Sequence, residues 1–218
     1  MSQQRSPGPE DAVGFWLDND AHRAWLKHQS ETQLDFFTGS IQAAPGFSLL
    51  GFDGAALETK TQELFTTTRL IHSYSLGVLQ GYPGADKIVD HGMRYLFRHH
   101  KDPIHGGYLW GITGDKISDD RKLAYGHAFV LLAASSAKMA GHPDADFLLT
   151  DITDILDRHF WEEDAGLFCD EWNRDWTPFS TYRGMNANMH GVEAMLAAFE
   201  ATDDTEASDP KPESLGFP

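Results

Sequence analysis

The chain repeats itself. Pro83 recurs as Pro143, Ala85-Asp86 as Ala145-Asp146, and Gly107 as Gly166, an offset of about 60 residues. Each unit reads as two helices joined by a Gly/Pro stop and followed by a Gly-containing return. Lys122 to Ala140 carries helical periodicity, Gly141-His142-Pro143-Asp144 ends it, and Ala145 to Phe160 resumes it. The preceding unit runs from Thr59 to Leu79, stops at Gly81-Tyr82-Pro83-Gly84, and continues from Ala85 to about His99. One helical hairpin cannot bury its own apolar stripe, so units of this kind stack. The expected fold is all-α, a stacked or toroidal array of α-hairpins.

A further helix precedes the array, Asp18 to Phe37, with Asp18 or Asn19 as its cap and Trp25, Leu26, Leu34 and Phe37 at apolar positions. Gly39 to Gly54, with Phe47, Leu49, Leu50 and Phe52, reads as a short extended return. A third unit opens at Gly184 and reaches Asp203-Asp204, where the pattern breaks. Beyond it Asp203, Asp204, Glu206, Asp209 and Glu213 are set against Lys211 alone, among prolines. Residues 204–218 are therefore expected to be a disordered acidic tail and residues 1–14 a disordered leader, with the half-domain over 15–203. An array that stops mid-unit leaves an apolar helix face without a neighbour, which points to a shortened chain and to self-association through that face.

With 218 residues, 41% hydrophobic and 23% charged, the chain can build one sizeable core. A net charge of −16 argues against nucleic acid and anionic membrane as partners. No apolar run approaches the ~20 residues of a membrane span. A polar start and a single cysteine, Cys169, favour the cytoplasm. The histidines are scattered without zinc spacing, so no metal is expected.

The stretch richest in chemistry is Thr181 to Glu200. At helical period, Asn186, His190, Glu193 and Ala197 share one face, while Met185, Met189, Val192, Met195, Leu196 and Phe199 cover most of the rest. The reading is an apolar-backed helix carrying polar groups inward. A single histidine on such a helix is more often a satisfied core residue than a catalyst. Its company tilts the balance, since Asn186, Asn188 and His190 fall where a packing helix places Leu or Ala, and buried polar groups need partners or a ligand. An amide and an imidazole one turn apart suit a polyhydroxylated ligand.

Four runs, Thr66-Thr67-Thr68-Arg69-Leu70-Ile71-His72, His105 to Trp110, Lys122 to Phe129 and Tyr182 to His190, together resemble the N-acylglucosamine 2-epimerase superfamily. The likeness is greatest to its aldose–ketose isomerase branch, the mannose and sulfoquinovose isomerases, and covers about Phe15 to Asp203. The resemblance implies an (α/α)6 toroid of roughly twice this length, of which this chain is the first half. It implies proton transfer between adjacent sugar carbons through an enediol-type intermediate, with a monosaccharide as partner and no cofactor. It assigns His190 to acid/base catalysis, Arg69 to the sugar oxygens, and Tyr125 and Asn186 to substrate binding. A second catalytic histidine and a glutamate are implied in the other half.

Other readings stay open. Arg69 can be a solvated or helix-pairing arginine, Tyr125 an interior tyrosine and Asn186 a helix cap, while His72 and His127 read as packing or supporting residues. A non-catalytic sugar-binding remnant is the main alternative. A six-hairpin glycoside hydrolase would need two inward carboxylates, for which Glu193 and Asp170-Glu171 are candidates.

Overall fold

A computed structural model describes residues 16–41, 45–58 and 61–202. The expected leader over 1–14 and acidic tail over 204–218 lie outside the described residues.

Asn19 caps the first helix, α1 (Asp20–Thr38), its side-chain oxygen accepting the His22 N–H at 3.1 Å. Of the four apolar positions read along it, only Leu34 is buried; Trp25, Leu26 and Phe37 are exposed. The return segment pairs Ile41 with Phe47 and Leu50 with Ala56, and sinks the Phe47 ring into the core. Gln62 holds it there, accepting from Phe47 N–H and donating to the Pro45 carbonyl, both at 2.7 Å.

The next helix starts later than its periodicity indicates. Thr61–Glu63 is a strand, β1, and α2 runs over Leu64–Leu79. Strand β1 pairs antiparallel with β2 (Gly111–Thr113), which pairs with β3 (Lys116–Asp119). In the same way the expected helix from Lys122 begins as the two-residue strand β4 (Lys122–Leu123) before α4 (Ala124–Met139). Two further two-residue pairings complete the returns: β5 (Trp161–Glu162) with β6 (Leu167–Phe168), and β4 with β7 (Glu171–Trp172).

The repeat is visible in three dimensions. Helix α2 turns into α3 (Ala85–Tyr95), and α4 into α5 (Ala145–Ile155). Both turns close the same way. Gly81 and Gly141 take φ of 75° and 78°, and the Tyr82 and His142 N–H groups reach back to the Gly77 and Ala137 carbonyls at 2.8 and 2.9 Å. Both outer helices then widen into a π-helical turn, Leu96–His100 and Leu156–Phe160. Helix α6 (Met185–Thr202) stands where the third inner helix belongs. Helices α2, α4 and α6 pack side by side, with α3 behind α2 and α5 behind α4.

Helix α6 corrects the sequence reading. Ala187, Gly191 and Ala194 face inward, whereas Met185, Met189, Val192, Met195, Leu196 and Phe199 are all exposed. The reason is room: a Cβ on Gly191 would lie 2.3 Å from the buried Phe168 ring, so only the smallest residues fit this contact.

Two histidines belong wholly to the core. His127 is sealed in with its Nδ1 donating to the Leu123 carbonyl at 2.8 Å and its Nε2 accepting the Tyr108 N–H at 3.0 Å. His100 is likewise buried, Nδ1 bonded to the Leu109 carbonyl at 2.9 Å. Burial lowers both imidazoles, to about 3 for His127 and about 4 for His100.

A buried ionic knot closes the same end. Lys122 Nζ and the Asp102 carboxylate have no solvent exposure and lie 3.1 Å apart, while Arg174 grips both Asp102 oxygens at 3.0 Å. Lys122 also donates to the Gly106 carbonyl and sits 4.5 Å from the Trp176 ring. Burial alone would push the Asp102 carboxyl up. The bonds from Arg174, the Ile104 N–H and Lys122 outweigh it and hold the group well below the usual carboxylate range.

Gly191→Ala is expected to lower the unfolding free energy by about 1–3 kcal/mol through overpacking against Phe168, and an unchanged urea midpoint would mean that α6 does not seat there. The two neutral core histidines also fix a pH dependence. Their folded values lie below the unfolded value near 6.5, so their stabilisation is complete above 6.5. It is lost as pH falls toward 4 and 3, by up to about 1.4 kcal/mol per pH unit for each proton. Urea unfolding across pH 7 to 4.5 checks this; a flat profile would contradict the buried neutral imidazoles.

Candidate active site

Three inner helices supply the site. Helix α2 brings Arg69 and, one turn later, His72; α4 brings Tyr125, Phe129 and Ser136; α6 brings Asn186, His190 and Glu193. The threonines before Arg69 are structural. Thr67 and Thr68 are buried, and Thr68 Oγ1 donates to the Leu64 carbonyl at 2.9 Å.

Arg69, Tyr125 and His190 come together around Phe129. The Arg69 Nη2 donates to the Tyr125 hydroxyl at 2.9 Å, and its guanidinium carbon lies 4.3 Å from the Phe129 ring centre. His190 meets Phe129 at 4.7 Å between ring centres and Tyr125 edge-on at 5.4 Å. Among the described residues no carboxylate pairs with Arg69, so aromatic faces and one phenol are its neighbours. Arg69 thus joins α2 to α4 through one hydrogen bond, and the guanidinium keeps further donors.

His190 is partly covered, its side chain 18% exposed, and its Nδ1 lies 2.7 Å from Glu193 Oε2. Asn186 is exposed as the second residue of α6, one turn before His190. It lies inside the helix and not at a capping position. Among the described residues its amide makes no hydrogen bond, so it does not join the other three. Asn188, read in the same polar cluster, is spent on the fold: it accepts the Phe168 N–H at 2.7 Å and donates to the Gly184 carbonyl at 2.8 Å.

His72 is tied to the neighbouring inner helix α4. Its Nδ1 is 2.5 Å from Ser136 Oγ, and burial lowers its titration while the Glu193 charge pulls the other way. His127, by contrast, is the core residue described above. Phe129, on which Arg69 and His190 both rest, was not singled out; its place four residues after Tyr125 on α4 was the available signal. Among the described residues no group of three or more His, Cys, Asp or Glu is placed to hold a metal ion, and no helix is long and apolar enough to cross a membrane.

Of the carboxylates considered for hydrolysis, Asp170 accepts the Gly184 N–H at 2.7 Å and Glu171 lies 3.8 Å from Arg121. Both are thus engaged by the fold, while Glu193 is paired with His190.

The arrangement has known relatives. Residues 46–209 match the N-acylglucosamine 2-epimerase (GlcNAc 2-epimerase) family. The chain is 41% identical over 191 residues to a D-mannose isomerase of Thermobifida fusca, covering 87% of this chain and 47% of that protein. It is 35% identical over 191 residues to one of Pseudomonas cannabina pv. alisalensis, covering 88% and 46%. A D-mannose isomerase crystal structure superposes with a TM-score of 0.80 at 34% identity, over 86% of this chain and 48% of that one. A cellobiose 2-epimerase from Spirochaeta thermophila DSM 6192 shares the fold with a TM-score of 0.76 at 22% identity, over 90% of this chain and 53% of that one. The chain thus spans about half the length of the curated relatives it matches, and its helices form part of their (α/α)6 toroid. By sequence and by fold, the chain belongs to the N-acylglucosamine 2-epimerase family.

Proposed function

We propose that this chain supplies half of the active site of an aldose–ketose sugar isomerase of the D-mannose/D-fructose type. The observation that carries the reading is the meeting of Arg69, Tyr125 and His190 on three successive inner helices. The carbon-bound proton next to a sugar carbonyl is weakly acidic, so isomerisation needs a base in hydrogen-bond reach and a donor for the developing oxyanion. His190 is the proton-transfer group through an enediol intermediate, since imidazole exchanges protons near neutral pH. Arg69 offers its guanidinium to the sugar oxygens, while the Tyr125 hydroxyl and the exposed Asn186 amide bind hydroxyls. The reading is supported by the family and by the relatives' D-mannose isomerase names.

The test is mannose-to-fructose conversion by the 218-residue chain, run beside the chain joined to the second half of a D-mannose isomerase. Turnover is expected only in the joined form, and His190→Ala there is expected to cost a factor of about 10² to 10⁴. Unchanged turnover in that variant would remove His190 from the mechanism. Turnover by the 218-residue chain alone would mean that its residues suffice or are completed by self-association.

The apolar face of α6 favours a second reading alongside the first, self-association of the isolated chain. Met185 is 84% exposed, Leu196 62% and Val192 57%, in one contiguous stripe with Met189. Light scattering is expected to show association that rises with concentration. A stable monomer that does not bind an apolar dye would contradict it.

A further inference from the structure

Two imidazoles of the site have one ring nitrogen already committed, and by different routes to the same end. Glu193 Oε2 faces His190 Nδ1 at 2.7 Å. A carboxylate only accepts hydrogen bonds, so Nδ1 carries a proton, and in the neutral ring Nε2 keeps its lone pair. For His72 the reasoning runs through Ser136. The Ser136 hydroxyl lies 2.8 Å from the Leu132 carbonyl, and with its single proton there its oxygen accepts from His72 Nδ1 at 2.5 Å. In that arrangement His72 is also an Nδ1–H tautomer with a bare Nε2. The two histidines share an electrostatic neighbour, because the Glu193 charge reaches His72 as well as bonding His190.

We propose that Glu193 is the positioning residue of the site. It locks His190 as the Nδ1–H tautomer, so that Nε2 is the atom that takes the proton, and it neutralises the imidazolium that results. Ser136 holds His72, on the neighbouring inner helix, as a second imidazole with its Nε2 free. The identity of the proton donor rests on the isomerase reading above. In that step the sugar C–H proton passes to Nε2 and its electron pair stays on the sugar as the enediolate. The carbon-bound proton then returns to the neighbouring carbon while the hydroxyl proton passes from one sugar oxygen to the other, so the sugar is isomerised with no net oxidation or reduction.

Long-range ¹H–¹⁵N correlation spectra of the ¹⁵N-labelled full chain read imidazole tautomers directly, with His190→Ala and His72→Ala assigning the signals. Both histidines are expected as Nδ1–H in the parent chain. Glu193→Leu, at a half-exposed position that tolerates the change, is expected to release His190 to the Nε2–H form that a free imidazole prefers while leaving His72 unchanged. Ser136→Ala is expected to do the converse. His190 found as Nε2–H in the parent chain, or unaltered by Glu193→Leu, would overturn the proposal. Turnover of the joined chain separates the two claims. In that form Glu193→Leu is expected to lower kcat roughly tenfold or more with KM little changed, and Glu193→Asp to recover part of it. A tautomer switch with kcat unmoved would overturn the positioning role and leave the isomerase reading standing. A tautomer switch together with no turnover of any sugar would sink the isomerase reading and leave Glu193 as the residue that fixes the ring.

Discussion

Everything the site does depends on α4 being enclosed. A helix flanked by α2, α5 and α6 can approach them closely only where its side chains are small, and α4 supplies Ala128, Ala133, Ala134 and Ala137 along its buried length. Its two serines cost little to bury, since Ser135 and Ser136 return their hydroxyls to the Leu131 and Leu132 carbonyls at 2.8 Å. With the three inner helices this near, Phe129 can touch a residue from each neighbour, Arg69 on one side and His190 on the other. The site is thus a consequence of packing distance as much as of residue choice.

The start of α4 is fixed by charge. Lys122 stands two residues before the helix, and its bonds to Asp102 and Gly106 fasten it to the return that follows α3. Arg174 and Trp176 close over it from the return that precedes α6, with the Trp176 ring stacked 3.9 Å from His159 and its backbone at φ 64°. Removing one member of such a knot leaves a buried charge unpaired, which costs several kcal/mol. Tyr125 is the second residue of α4, so the knot that anchors Lys122 also fixes where the helix carrying that phenol begins.

The sequence made the α-hairpin repeat legible because Gly81, Pro83, Gly141 and Pro143 interrupt helices at matching places, and a break in periodicity is a local signal. The short strands were not legible. Thr61–Glu63 and Lys122–Leu123 are too brief to show alternation, and their pairing partners lie far along the chain. The polar positions of α6 were read as one cluster, yet Asn188 holds the Phe168 backbone while Asn186 is exposed; side chains of one type differ only by the face the fold gives them. Helical periodicity marked a polar side of α6 and an apolar one but did not mark the side of Ala187, Gly191 and Ala194 that turns inward. Hydrophobicity favoured the stripe of Met, Val, Leu and Phe, and the Phe168 ring against Gly191 decided for the other. Arg69, Tyr125 and His190 were marked by resemblance, and only coordinates could show that Phe129 is what they share.

The matching π-helical turns carry a consequence for how such an array bends. A π turn holds one residue more than an α turn, so it redirects the chain that leaves it. In both units the next residue, Lys101 or Trp161, is extended with nearly the same backbone angles. Deleting one residue from either turn would rotate the exit by about 100° and send the return toward solvent. The direction in which each hairpin hands the chain to the next is therefore written inside the hairpin itself. Curvature is a property of the single unit, inherited whenever the unit is copied, and does not depend on the ring being closed.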